Sequence, residues 1–346
     1  MTKKILDFIH VGDYKTGTTW LQRSVLSFHS EIEYLGDVFK KKELQEVLRE
    51  LVDVRDLDFD AKKLRKKFTK NLNKGSKKIY GISREALSQS NYITGENAKR
   101  NAVRLKEVFG NVKIIYVIRE QISMLGSIYN QYLKTGGTRN FKDWFLDPVE
   151  CNSIIERLKY DKNVEMYCEI FGKKNVLVLL FEELKYDPEN FLKKFYTFIG
   201  CKNTNFKLVK NNKILNPSLN ETGAFFSKKL HKLFRNSYHN YRSTFLGIDK
   251  LIYILLPKKT LDKLDKKTQT NIINTYGKLD KKQRIMISIN MGIMHRITKI
   301  CEKIKIGKKI KVPEDVVEKL LPFFKQSNKI LSKKYHLDVN KFDWSL

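Results

Sequence analysis

Two short runs, apolar almost without interruption, constrain this chain more than anything else in it. They are Val112-Lys-Ile-Ile-Tyr-Val-Ile118 and the Val-Leu-Val-Leu-Leu stretch within Asn175 to Phe181. The first reads as the strongest strand in the sequence. The second reads as a strand buried on both faces, the habit of a parallel sheet covered by helices. Two weaker strand signals precede them, Ile5 to Val11 and Lys78 to Ser83. Between and after the strands come helical periodicities over Thr18 to His29, Lys40 to Asn73, Asn97 to Phe109, Gln121 to Leu133, Ile154 to Phe171 and Pro188 to Ile199. The last has proline near its start and Gly200 beyond its end. Strands alternating with helices predict an α/β fold, a parallel sheet flanked by helices. Beyond Lys202 the strand signal fades, and residues 221 to 335 read as helices and basic loops. The expected organisation is a core over residues 1–220, with residues 221–346 forming a helical, basic C-terminal part of the same domain.

A chain of 346 residues that is 41% hydrophobic and 12% aromatic can bury a large core, which excludes disorder throughout. Its 68 Lys and Arg against 38 Asp and Glu give a net charge of +30 and imply anionic company: nucleic acid, acidic headgroups, or anionic small molecules and polysaccharides. The basic residues are scattered and not interleaved with a stacking platform, and no nucleic-acid reading module is present, so no specific nucleic-acid partner is expected. Cys151, Cys168, Cys201 and Cys301 form no C-x-x-C pair, which excludes zinc-ribbon and thioredoxin-like patterns. Ile5 to Val11 is too short and too polar for a secretory signal. The longest later apolar run, Leu251 to Leu256, is far below the ~20 residues of a membrane span. A soluble or peripheral cytoplasmic protein is expected. The basic stretch around Leu251 to Pro257, with Lys258-Lys259 beside it, would suit contact with a membrane face.

The chemistry-bearing feature is the first loop, Gly12-Asp-Tyr-Lys-Thr-Gly17-Thr18-Thr19, between a strand and a helix. Helix N-terminal amides and the helix dipole favour an anion at such a place. The glycines keep the G-x-x-x-x-G spacing of a nucleotide P-loop, but Thr18 stands where that loop has its lysine. The lysine has moved inside the loop, to Lys15, and Thr19 keeps the hydroxyl position. A P-loop kinase-like phosphotransferase is the alternative reading. It would need Mg²⁺ and an acidic strand end, for which Glu182 is the only candidate.

Lys15-Thr-Gly-Thr-Thr-Trp-Leu21 resembles the 5′-phosphosulfate loop of sulfotransferases that use 3′-phosphoadenosine 5′-phosphosulfate (PAPS). A second stretch, Lys113-Ile-Ile-Tyr-Val-Ile-Arg119 running on to Ser127, resembles that family's 3′-phosphate motif. Arginine offers a planar fork for phosphate, and a serine on the facing helix can add a bond. A third stretch, Asn175 to Gly200, resembles the family's late strand and following helix. Asn216-Pro-Ser-Leu219, Ser327-Asn328 and Trp344 resemble bacterial-type members. The cytosolic type's C-terminal Arg-Lys-Gly segment is not evident, and Lys207, Lys210 or Lys213 are the substitutes considered.

The resemblance implies a P-loop-like fold and PAPS as donor, with its product 3′-phosphoadenosine 5′-phosphate (PAP) and no metal. It implies in-line transfer of a sulfuryl group to a hydroxyl, and an anionic or carbohydrate acceptor such as a glycolipid or polysaccharide. Lys15, Thr16, Gly17, Thr18, Thr19, Arg119 and Ser127 would bind the donor, with Lys15 also catalytic. A general base must take the acceptor proton. Glu85, just after the strand ending at Ser83, is the first candidate, with Glu43, Asp37 and His10 as alternatives.

Overall fold

The computed structural model describes residues 5–35, 42–70, 72, 78–88, 97–146, 148–204, 218–233 and 308–346. Asp37, Lys207, Lys210, Lys213, Cys301 and the Leu251 to Lys259 stretch lie outside them. Among the described residues no helix is long and apolar enough to cross a membrane.

Five strands form one all-parallel sheet: β1 (Phe8–His10), β2 (Ile32–Tyr34), β3 (Ile79–Ser83), β4 (Lys113–Ile118) and β5 (Val176–Leu180), in the order β2-β3-β1-β4-β5. The fold is α/β, as the alternating pattern requires, and P-loop-like, as the resemblance implies. The four strands expected from sequence are present. The fifth, β2, is three residues long with Glu33 at its middle, so it carried neither an apolar run nor a clear alternation.

β4 shows why the sheet needs cover on both sides. Successive strand side chains point to opposite faces. Ile115 and Val117 join the cluster of Phe8, Leu21, Val25, Phe191 and Phe195. Tyr116 packs instead on Tyr160 and Tyr167, at ring separations of 6.5 and 5.4 Å. Phe8 pairs in register with Gly81, and a Cβ at Gly81 would sit 2.0 Å from the Phe8 ring.

The helices follow the apolar periodicities, with two breaks that matter. After β1 the chain is helical from Thr18, three α-helical residues (α1, Thr18–Trp20) passing into a π-helical stretch, Leu21–Leu26. The Ser27 amide consequently donates to the Gln22 carbonyl at 3.3 Å. The Lys40 to Asn73 region is α2 (Lys42–Asp53), a short 3₁₀ turn and α3 (Ala61–Lys70). Then come α4 (Ala98–Phe109), α5 (Gln121–Lys134) and α6 (Phe141–Phe145). The single helix expected over Ile154 to Phe171 is two, α7 (Pro148–Leu158) and α8 (Tyr160–Phe171). They part at Lys159, whose ψ of 76° is not helical. There Asn163 Nδ2 donates to the Arg157 carbonyl at 3.0 Å, in place of a helix amide. α9 (Phe181–Tyr186), α10 (Pro188–Ile199), α11 (Glu221–Leu233) and α12 (Glu314–Tyr335) complete the described helices.

The chain divides into two compact units. The larger comprises Met1–Ile128, Phe141–Asn216 and Val312–Leu346, and holds the sheet. Its C-terminal stretch is fastened by side chains. Gln121 and Asn328 exchange amide hydrogen bonds at 2.6 and 3.3 Å, and Ser327 donates to Asp161 at 2.5 Å. The second unit comprises Tyr129–Asn140 and Pro217–Lys311. Within it Asn130 bonds both the amide and the carbonyl of Leu219, and Asn220 forms an antiparallel bridge with Lys309.

Candidate active site

Because the sheet is parallel and β1 lies between β3 and β4, the segments leaving these three strands share one edge. This is the crevice where open α/β sheets take their ligands. The loop after β1 stays zipped to β4, with the Val11 and Asp13 amides donating to the Ile115 and Val117 carbonyls. On the other side the Arg84 amide donates to the His10 carbonyl. Glu85 therefore reaches the loop from the β3 side and Arg119 from the β4 side.

The loop itself is tightly specified. Lys15 has φ of 66°, a left-handed conformation uncommon for a residue with a side chain, and Gly17 has φ of 80°. Asp13 Oδ1 accepts the Tyr14 amide at 2.7 Å, and Thr16 Oγ1 donates to the Asp13 carbonyl at 2.5 Å. Arg119 Nη1 donates to the Lys15 carbonyl at 3.1 Å. Gly17 is required by φ and by space, and Gly12 by space alone. A Cβ at Gly17 would lie 2.8 Å from Leu184, and one at Gly12 would lie 2.4 Å from His10 Nε2.

His10 is fully buried, which pushes its imidazole down to about 3 and keeps it neutral. Its Nδ1 lies 2.7 Å from Ser83 Oγ. Gln22 Nε2 also donates to that hydroxyl at 3.2 Å, so Ser83 links the imidazole to the start of the first helix. Nε2 meets no partner among the described residues.

Glu85 opens a short 3₁₀ turn, Glu85–Leu87. Burial raises its carboxyl to about 7, against the pull of Lys15 and the Thr18 hydroxyl, which favour the anion. Asp13 adds to the rise and Arg157 opposes it. A carboxylate poised near neutrality beside a lysine is suited to accept a proton. Glu43, by contrast, is exposed in the first turn of α2.

Arg119 stands at the end of β4, as its motif requires, and its guanidinium stacks over Phe181 at 4.8 Å. Its hydroxyl partner is Ser123, which accepts from Nε at 3.0 Å and Nη2 at 2.7 Å. Ser127 lies one helical turn further along α5. The spacing that singled out Ser127 passes over Ser123, although both follow the same i, i+4 row.

Glu182, the acid that a metal-dependent kinase would need, has other partners. It accepts the Glu120 amide at 3.1 Å and the Trp344 indole at 3.3 Å. Among the described residues no three His, Cys, Asp or Glu side chains converge on a metal position. The carboxylate of Glu120 caps α5, accepting the Ile122 and Ser123 amides.

Sequence reasoning missed one conspicuous contact. Arg157, from α7, donates through Nη2 to Asp13 Oδ1 at 2.5 Å, with both side chains 1% exposed. No local pattern signals a pairing across 144 residues.

A family model for the sulfotransferase domain matches residues 6–244. The chain therefore belongs to the sulfotransferase family and is a transferase. No curated protein matches it. Solved structures similar to it include a sulfotransferase from Alicyclobacillus acidocaldarius, 20% identical over 60% of this chain and 85% of that one, with a TM-score of 0.43. Another is the sulfotransferase domain of the curacin biosynthetic pathway, 13% identical over 57% of this chain and 75% of that one, with a TM-score of 0.36. A mouse sulfotransferase complexed with PAP is 15% identical over 83% of this chain and 88% of that one, with a TM-score of 0.32.

Proposed function

We propose that this sulfotransferase uses PAPS as donor and sulfates a hydroxyl of a carbohydrate-containing acceptor. The observation that carries the reading is the convergence of Lys15 and Glu85 on one anion-binding loop, with Glu85 raised to about 7. The residues present fit an adenosine bisphosphate donor: a loop in which Gly12 and Gly17 leave no room for a Cβ, a buried His10 Nε2 without a partner among the described residues, and Arg119 held at the loop.

PAPS, when bound, supplies the sulfuryl group and leaves as PAP. The chain's own residues would do the rest by positioning and charge. Thr16, Gly17, Thr18 and Thr19 would hold the 5′-phosphate through amides and hydroxyls. Arg119 would hold the 3′-phosphate, with Ser127 as the helix hydroxyl beside it. Lys15 would compensate negative charge growing on the departing oxygen. Glu85, ionised, would accept the proton of the attacking hydroxyl. The net charge of +30 supports an anionic glycan or glycolipid as acceptor, met in the cytoplasm or at a membrane face.

Calorimetric titration with PAP in the absence of Mg²⁺, with ATP as control, tests the donor assignment. Wild type should bind PAP. Arg119→Ala should lose at least about 10-fold in affinity, the scale of one charge-assisted hydrogen bond. Lys15→Ala should retain PAP binding better than it retains transfer from PAPS to a carbohydrate acceptor panel. Preference for ATP with Mg²⁺ would overturn the proposal.

A further inference from the structure

The Asp13–Arg157 pair has no part in the donor-binding and proton-transfer roles above, yet it is the most deeply buried ion pair of the larger unit among the described residues. We propose that Arg157 is a positioning residue for the anion-binding loop. Its buried guanidinium holds the Asp13 carboxylate, and Asp13 in turn fixes the loop on both sides of Lys15, so that the loop is shaped for an anion before one arrives. The inference rests on the proposed function only for the identity of that anion.

Lys15 is the reason such a device is needed. Its left-handed backbone is strained for a residue with a side chain, and such a conformation persists only where its surroundings over-determine it. Three contacts do so. The residue before it is fixed by the Tyr14 amide on Asp13 Oδ1, and the residue after it by the Thr16 hydroxyl on the Asp13 carbonyl. The Lys15 carbonyl is fixed by Arg119. Two of the three pass through Asp13, and the carboxylate oxygen that takes the Tyr14 amide also takes Arg157. Among the described residues Arg157 Nε and Nη1 meet no acceptor, so Asp13 is the contact that balances this buried cation. Removing Asp13 leaves the buried Arg157 guanidinium without its carboxylate, and removing Arg157 takes from the Asp13 carboxylate its buried counter-charge; removing both does neither.

The pair also bears on Glu85. The charged groups facing that carboxylate are Lys15, Asp13 and Arg157, and the phenol of Tyr14 faces Glu85, Arg84 and the same pair. Asp13 favours the protonated carboxyl and Arg157 the ionised one. Neutralising Arg157 must therefore move the acidic limb of the pH–rate profile to higher pH. Neutralising Asp13 must move it lower. A role confined to fold stability predicts neither shift.

The test uses the full chain as wild type, Arg157→Met, Arg157→Lys, Asp13→Asn and the double variant Asp13→Asn/Arg157→Met. Amide hydrogen exchange on the ligand-free protein is the primary readout. Arg157→Met should speed exchange over Tyr14 to Thr18 by about tenfold or more, the scale of one charge-assisted hydrogen bond, while the β4 amides keep their protection. Arg157→Lys should recover part of the loss. The double variant should regain the unfolding temperature lost in the single variants but not the loop protection, and it carries the comparison if Arg157→Met does not fold. PAP affinity and the two pH limbs follow as secondary readouts. Wild-type loop protection in Arg157→Met or in the folded double variant would overturn the proposal. A wild type that fails to bind PAP, with a loop that still responds to Arg157→Met, would remove the donor assignment and leave the positioning role standing.

Discussion

Replacing Glu85 with glutamine should stabilise the protein at alkaline pH while removing its activity. Burial displaces this carboxyl from an ordinary 4.5 to about 7. Between those values the folded chain holds a proton on Glu85 that the unfolded chain has released. Wild type therefore loses stability as pH rises through that window, and above about 7 the whole penalty is present. At about 1.4 kcal/mol per tenfold in proton affinity, the penalty at pH 8 reaches at most about 3 kcal/mol. Glutamine matches the protonated carboxyl in shape and never ionises. The stability gained by Glu85→Gln should accordingly be close to nil at pH 4.5 and approach about 3 kcal/mol at pH 8. Urea unfolding followed by tryptophan fluorescence measures it, because Trp20, Trp144 and Trp344 all belong to the sheet-bearing unit. In parallel, transfer by wild type should fall on acidification through an apparent pKa of about 7, and Glu85→Gln should lose about 10²-fold or more together with that limb. A stability difference that is the same at both pH values would refute the burial argument. So would a variant less stable than wild type at pH 8.

Two further perturbations probe how the site is held. Gly81→Ala sets a Cβ 2.0 Å from the Phe8 ring in the middle of the sheet and should cost about 1–3 kcal/mol, read as a lowered unfolding temperature. Asn328→Ala leaves the buried Gln121 amide without its reciprocal partner and releases the Ser345 carbonyl. It should cost about 1–3 kcal/mol and make the residues after Tyr335 the first cut in limited proteolysis.

What the sequence made legible is what local pattern encodes. The strands β1, β3, β4 and β5, the helix from Pro188 to Ile199 and the loop between Gly12 and Gly17 each carry their signal within a dozen residues. Position followed from these elements alone: once the sheet is parallel, Glu85 and Arg119 must emerge beside the first loop. The failures have a common cause. The Lys159 break, the Asp13–Arg157 pair, and the use of Glu182 by Glu120 and Trp344 are settled by partners 62 to 162 residues apart or by a side chain capping a neighbouring helix. Ser123 was missed for a different reason. It shares a helix row with Ser127, and only the reach of the Arg119 fork, 2.7 to 3.0 Å from Ser123, separates them.

Arg119 also joins what the sequence presents as two motifs. Its Nη1 is bonded to the Lys15 carbonyl, so the strand-end arginine helps to hold the first loop. The displaced lysine then acquires a physical reason. In a nucleotide P-loop the position after the second glycine carries an ammonium group. Here Thr18 occupies it and faces Glu85. An ammonium there, in place of the Thr18 hydroxyl, would favour the ionised carboxyl. With the cation moved to Lys15, its pull on Glu85 is outweighed by burial, and the carboxyl stays near 7. Under the proposed function the loop would thus hold an anion with a proton acceptor at the same edge of the sheet, the combination that group transfer to a neutral hydroxyl demands.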